Sequence, residues 1–309
     1  MSLQSTLAFG LKTPPLPPGP PYRCADLLEW VGFPFWLETH DPRLIDLHHG
    51  HPAPTPPLEN LEGMIRYWEE HPEWMDMLNP DSPVFHDKKI ECDLYLNFWN
   101  DVFPTNQRVL DMGGGVGRIT QLLLEQHCSV ELVDPDLRSL WRALSAAAGG
   151  PGFIDVHWST GEKIPDLGPF DAAVACEVLN YVENPQLIVQ KIHQNLKKDG
   201  VFLLSVEARW GWALSSDVAE GSIEAFFNDG IVHVPHDRWI RTYTHDSLKK
   251  LLSDFSSVEI QPSHYAFSGP FEMATGLLPS AEAIDIEERF RQHPIASKLN
   301  RAWMAIAKK

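Results

Sequence analysis

From residue 107 onward, short apolar runs alternate with segments whose apolar residues recur three and four positions apart, the rhythm of strand followed by helix. Val109 and Leu110 form a short buried strand, Ile119, Leu122, Leu123 and Leu124 follow at helical spacing, and 129–134 returns to strand. A helix over 137–148 stops at Gly149, Gly150 and Pro151, and a third strand is predicted over 153–157. A fourth strand over 170–176 leads to a helix over 185–196, ended by Lys197, Lys198 and Gly200, and a fifth strand covers 201–206. This alternation predicts an α/β domain built on a doubly wound sheet.

The pattern breaks between 207 and 243, where Trp210, Trp212, His233, His236 and Trp239 fall without regular period, so this stretch reads as an insertion. Helix returns over 246–255, capped by Thr244, and a sixth strand covers 258–261. Residues 266–298 form a second excursion with one helix near 281–292, before a last strand over 301–308. Ahead of this core, which occupies 105–309, three amphipathic stretches at 24–31, 58–71 and 87–102 predict a helical N-terminal cap over 23–104. Its aromatic residues Tyr67, Trp68, Trp74, Tyr95 and Trp99 are expected to pack inward. Residues 1–22 are proline-rich and form a tail.

Composition narrows the function. Forty-two acids against 25 bases give a formal charge of −17, which repels polyanions, so no nucleic-acid partner is expected. No apolar run approaches the roughly 20 residues needed to span a bilayer, and no secretory signal opens the chain; no membrane is expected and the cytoplasm is the expected compartment. Cys24, Cys92, Cys128 and Cys176 lie far apart, and His48, His49 and His51 sit among prolines in a loop, so no metal site is expected.

The candidate chemistry lies in the first strand-to-helix turn, Asp111-Met112-Gly113-Gly114-Gly115-Val116-Gly117-Arg118. Glycines here let a ligand approach the backbone and leave the helix N–H groups facing it. A dinucleotide fingerprint requires a last glycine where Arg118 stands. The Asp-x-Gly-x-Gly-x-Gly pattern instead resembles the first motif of class I S-adenosylmethionine-dependent methyltransferases. Asp134 ends the second strand, where an acid can take both ribose hydroxyls. The resemblance continues through 159–165, 170–182 and 195–201.

It implies a Rossmann-like seven-stranded sheet of order 3-2-1-4-5-7-6 with its last strand antiparallel. The cofactor would be S-adenosyl-L-methionine, leaving S-adenosyl-L-homocysteine. Cofactor contacts are expected from Asp111, Gly113, Gly115, Gly117, Asp134, Pro135, Thr160, Gly161 and Glu177. Acceptors in open α/β sheets lie outside the carboxyl ends of the strands. Asn180, Glu207, Arg209, Trp210 and Trp212 are therefore expected to bind the acceptor, and Tyr181, His233 and His236 to serve the chemistry. The function expected is methyl transfer to a small metabolite. The alternatives are transfer to nitrogen or sulfur of an amino-acid-like acceptor, a non-catalytic adenosylmethionine-binding module, and a nicotinamide oxidoreductase.

Overall fold

A computed structural model describes Tyr67, residues 70–147, 150–164, 166–215, 222–234, 238–267, 269–271 and 278–309. The tail, the histidine-rich loop and most of the cap lie outside these residues. The first long described element is helix α1, Phe85–Trp99. Strand β1 (Arg108–Met112), helix α2 (Arg118–Glu125), strand β2 (Ser129–Asp134), helix α3 (Leu137–Ala147) and strand β3 (Phe153–Trp158) form the first half of the core. Strand β4 (Phe170–Cys176), helix α4 (Pro185–Asn195) and strand β5 (Leu196–Glu207) continue it. After these come the short helix α5 (Arg209–Trp212), strands β6 (Ile231–Val234) and β7 (Arg238–Arg241), helix α6 (His245–Leu251), strand β8 (Ser257–Ser263), helix α7 (Ser280–Gln292) and strand β9 (Ala302–Lys308).

The main sheet has seven strands in the order β3-β2-β1-β4-β5-β9-β8. With the separate β6–β7 hairpin set aside, this is the expected 3-2-1-4-5-7-6 order. Strands β3 to β5 run parallel, and β9 pairs antiparallel with both β5 and β8. Adjacent residues of each central strand enter opposite cores, which is why these strands read as unbroken apolar runs. Val109, Ala172 and Leu203 face α1, α2 and α3 through Tyr95, Trp99, Leu123 and Leu144. Leu110, Ala173 and Leu204 face α4 and α6 through Ile188, Ile192, Leu248 and Leu251.

Element boundaries differ from the sequence pattern where polar residues continue a strand. β5 starts at Leu196 because Phe170 pairs with it across a bulge, so the two lysines extend the strand instead of ending the helix. The insertion after β5 folds around Trp212, Phe226, Val232, Val234 and Ile240, and its hairpin had no alternating pattern strong enough to announce it. The Thr244 cap of α6 is a reciprocal capping box with Ser247. No helix among the described residues is long and apolar enough to cross a membrane.

The second excursion is tied back through one side chain. Buried Glu287 of α7 accepts the backbone N–H groups of Tyr265, Ala266 and Phe267 at 2.8 to 3.1 Å, pinning the loop that leaves β8. Ala266, Phe267 and Ala283 then pack on Ile90 and Leu94 of α1. Removing the carboxylate orphans three buried donors, so Glu287→Ala is expected to lower the unfolding free energy by about 3 kcal/mol, with Glu287→Gln intermediate. Denaturant unfolding measures both, and a loss below about 1 kcal/mol would show that the loop holds without it.

Candidate active site

The carboxyl ends of β1, β2, β4 and β5 open into a cavity of about 770 Å³. Its floor is the turn between β1 and α2. Gly117 caps α2 at φ 89°, and a side chain there would meet Ala143 of α3 at 3.0 Å, so this glycine permits helix packing and does not line the cavity. Gly115 differs: at φ 55° its missing side chain would point into open space. No described residue occupies that space, so it is where a ligand can lie against the backbone.

Two buried carboxylates support this floor. Asp111 accepts the Thr120 hydroxyl at 2.5 Å, and burial raises it to about 6, against the pull of that hydrogen bond and of Arg118. Asp134 accepts the N–H of Gly115 at 2.9 Å on one oxygen and that of Asp136 at 2.8 Å on the other. Burial, followed by the Asp136 carboxylate, raises it to about 7. Each Asp134 oxygen keeps acceptor capacity toward the cavity, the arrangement a vicinal diol needs. Pro135, Ser159, Thr160, Gly161 and Glu162 line the cavity beside it.

Across from the turn, helix α1 brings charged residues to the buried side. Glu91, 1% exposed, accepts Lys88 at 2.6 Å and Arg118 at 2.5 Å. Burial alone would raise Glu91, but the two cations outweigh it and hold the carboxyl well below its usual range. The Arg118 guanidinium reaches on to Glu177 at 3.8 Å, and Glu177 also accepts the Tyr95 hydroxyl at 3.1 Å. Tyr95 in turn accepts Ser205 of β5 at 3.1 Å. A second ion pair, Glu207 with Arg301 at 2.9 Å, closes the far side, where the guanidinium lies 3.6 Å from the Trp212 ring centre.

Of the expected cofactor residues, Asp111, Gly113, Gly115, Asp134, Pro135, Thr160, Gly161 and Glu177 line this one cavity, whereas Gly117 does not. Of the expected acceptor residues, Glu207 and Trp212 line it, as does Tyr181, whose hydroxyl burial raises far above the range of a proton acceptor. The others fall elsewhere. Asn180 is fully buried and accepts the Glu207 N–H at 3.1 Å, a link between strand ends. Arg209 turns toward the insertion's own carbonyls, those of Phe226 and Asn228. Trp210 is 42% exposed and packs edge-on against Phe227. His233 is exposed on β6, and His236 lies outside the described residues. Glu91, Arg118, His264 and Arg301 also line the cavity, and the one signal for them in the sequence is a charged Glu91 beside Ile90 on the buried side of α1. Tyr67 and Trp74, expected in the core, line the cavity.

Comparison with known proteins agrees with this geometry. A family described as "Methyltransferase domain" matches residues 86–255. The ubiquinone biosynthesis O-methyltransferase of Rickettsia canadensis is 25% identical over 148 residues, 48% of this chain and 61% of that protein. The enzyme of that name from Xylella fastidiosa is 30% identical over 139 residues, 43% of this chain and 53% of that protein. The chain thus spans little more than half the length of these curated relatives. A solved Thermotoga maritima methyltransferase, described as a possible histamine N-methyltransferase, superposes with a TM-score of 0.50 at 16% identity, over 80% of this chain and 98% of that one. Burkholderia thailandensis 1,6-didemethyltoxoflavin-N1-methyltransferase gives 0.50 at 18% identity, over 84% and 92%. At these identities the solved structures speak for the fold alone. The family match spans more than half the chain, and joined to the sheet order and the glycine turn it makes this protein a member of that family, a class I S-adenosylmethionine-dependent methyltransferase.

Proposed function

We propose that this protein methylates an oxygen of a small molecule held in the same cavity as the cofactor. The observation carrying this reading is that one cavity joins two unlike halves. One is the glycine turn with Asp134, Thr160 and Gly161; the other is aromatic, with Trp212 against Arg301 of the Glu207–Arg301 pair, Tyr67 against Arg238, Trp74 against Lys88, and Tyr181. The polar half suits an adenosine and the aromatic half a small flat acceptor. Oxygen as the methylated atom is supported by the curated relatives, both O-methyltransferases. Arg209, expected among the acceptor residues and a natural partner for an amino-acid-like carboxylate, lies outside the cavity.

The residues present fit the cofactor, because Gly115 leaves a space that any side chain would fill and Asp134 faces it with spare acceptor capacity. Asp134 would hold the ribose, Ser159, Thr160 and Gly161 the base, and Gly113 and Glu177 the amino-acid end. When bound, the cofactor supplies a methyl group already activated on a sulfonium. What remains for the protein is to orient the acceptor, exclude water and move a proton. Trp212 and Tyr181 narrow the cavity toward β5, and the rigid Glu207–Arg301 pair keeps Trp212 in place.

Asp134→Ala is expected to weaken S-adenosylhomocysteine binding at least about tenfold, since charge-assisted hydrogen bonds contribute roughly 1.5 to 3 kcal/mol each. Calorimetry on a folded variant checks it; unchanged affinity would take Asp134 out of the site. Gly115→Val should abolish binding in a domain whose circular dichroism is native, and normal binding there would leave the turn a purely structural feature.

The raised Asp134 carboxyl also predicts a pH dependence. The diol needs the ionised form, so between pH 8 and pH 6 the affinity of wild type relative to Asp134→Asn should fall about tenfold. The unliganded domain behaves in the opposite sense. Its carboxyl titrates near 7 against 3.8 for an unperturbed one, so the stability linked to this group is lost as pH rises toward 7 and is recovered toward 4. Parallel titrations of affinity and melting temperature separate the two effects, and an identical pH trend in the asparagine variant would refute the assignment.

A further inference from the structure

His264, directly after β8, is held by more contacts than its loop position suggests. It is 2% exposed, lines the cavity, and has a left-handed backbone at φ 63°. Its carbonyl accepts the Arg301 N–H at 2.9 Å, and Glu287 fixes the three N–H groups that follow. The ring centre lies 5.6 Å from that of Tyr95, and Nδ1 is 2.9 Å from the Ser263 hydroxyl. With Nδ1–H donating to that hydroxyl, Nε2 carries the lone pair. Nε2 is buried and has no hydrogen-bond partner among the described residues. A buried acceptor left unmatched costs free energy, and such a group in a cavity calls for a ligand.

The charges around it identify the kind of ligand. One ligand-type atom each from His264, Glu91 and Glu177 lies within 4.8 Å of the others, spacing that would accommodate a cation. Yet Lys88 and Arg118 already meet Glu91, and Arg118 with the Tyr95 hydroxyl meets Glu177. Both carboxylates are thus already engaged by side-chain donors, which favours a hydrogen-bond donor over a divalent ion as the partner of Nε2. A proton adds a single charge, and on Nε2 it would sit beside both carboxylates.

Resting on the methyl-transfer reading above, we infer that His264 accepts at Nε2 the proton of the acceptor's hydroxyl as that oxygen takes the methyl group. The oxygen–carbon bond forms while the carbon–sulfur bond breaks, and the pair of the broken bond stays on sulfur, cancelling the sulfonium charge. The O–H pair stays on oxygen, its proton passes to the imidazole, and the imidazolium later returns it to solvent. Imidazole is matched to a phenolic hydroxyl far better than to an aliphatic one. The walls of Tyr67, Trp74, Tyr181 and Trp212 suit a ring, so the acceptor class is a phenol.

The test uses 4-nitrocatechol as probe, bound to the full chain loaded with S-adenosylhomocysteine, with phenolate absorption reporting its ionisation. Wild type should lower the pH at which the bound probe ionises by at least about one unit, and His264→Gln should remove the shift. Both should bind S-adenosylhomocysteine within about twofold by calorimetry, since Asp134 and the glycine turn are untouched. With S-adenosylmethionine and the same probe, His264→Gln should lower kcat/KM about a hundredfold or more and flatten its acid limb. His264→Asn, better suited to a left-handed backbone, replaces the glutamine variant if that one does not fold. Identical spectra and pH profiles in variant and wild type would overturn the inference, as would a wild type that binds S-adenosylhomocysteine and leaves the probe un-ionised. Failure of wild type to bind S-adenosylhomocysteine at all would instead overturn the methyl-transfer reading.

Discussion

A single guanidinium, that of Arg118, holds the two sides of the cavity together. It leaves the first turn of α2, lies 13% exposed against buried Glu91 of α1, and reaches Glu177 beyond β4. A buried charge is tolerable only when it is paired, and losing one partner strands the rest. The position of α1 over the sheet is therefore bound to the same turn that faces the cofactor. Ile90, Tyr95 and Trp99 supply the apolar burial that keeps α1 near, while the ion pairs fix its rotation and register.

The centre of the sheet was legible because its strands are buried on both faces while the helices are buried on one, so hydrophobic period separates them. Asp134 was equally legible, since a carboxylate at the end of a second strand has few structural uses. Arg209 and Trp210 were misplaced for one reason: they begin a short helix, and its rotation decides which residues face inward. Trp212 turned in and is 4% exposed, Trp210 turned out, and no local pattern encodes that choice. His264 was invisible for a different reason. Its loop is ordered by Glu287, 23 residues further on, and by pairing with Arg301, and only the fold reveals such contacts.

Backbone conformation separates the two ends of the sheet. Five described non-glycine residues have positive φ. Asn106 and His127 turn the chain just before β1 and β2, Asp199 sits in the irregular start of β5, and two of these types tolerate that region through short polar side chains. The other two, Glu177 and His264, line the cavity. Glutamate gains nothing locally from a left-handed conformation, so its neighbours must enforce it: the Tyr95 hydroxyl and Arg118 hold its carboxylate while Ser205 accepts its N–H at 2.9 Å.

The two halves of the cavity also differ in how far apart their parts lie along the chain. The turn, Asp134 and the 159–161 loop come from one continuous stretch, whereas the aromatic half draws on Tyr67 and Trp74, Tyr181, Trp212 and Arg301. Loop closure makes distant contacts slower to form than local ones. During folding the turn and Asp134 can thus assemble within their own βαβ segment, while Trp212 and Arg301 come together only once β9 has entered the sheet between β5 and β8. One wall of the cavity is therefore encoded locally, and the other exists only in the completed sheet.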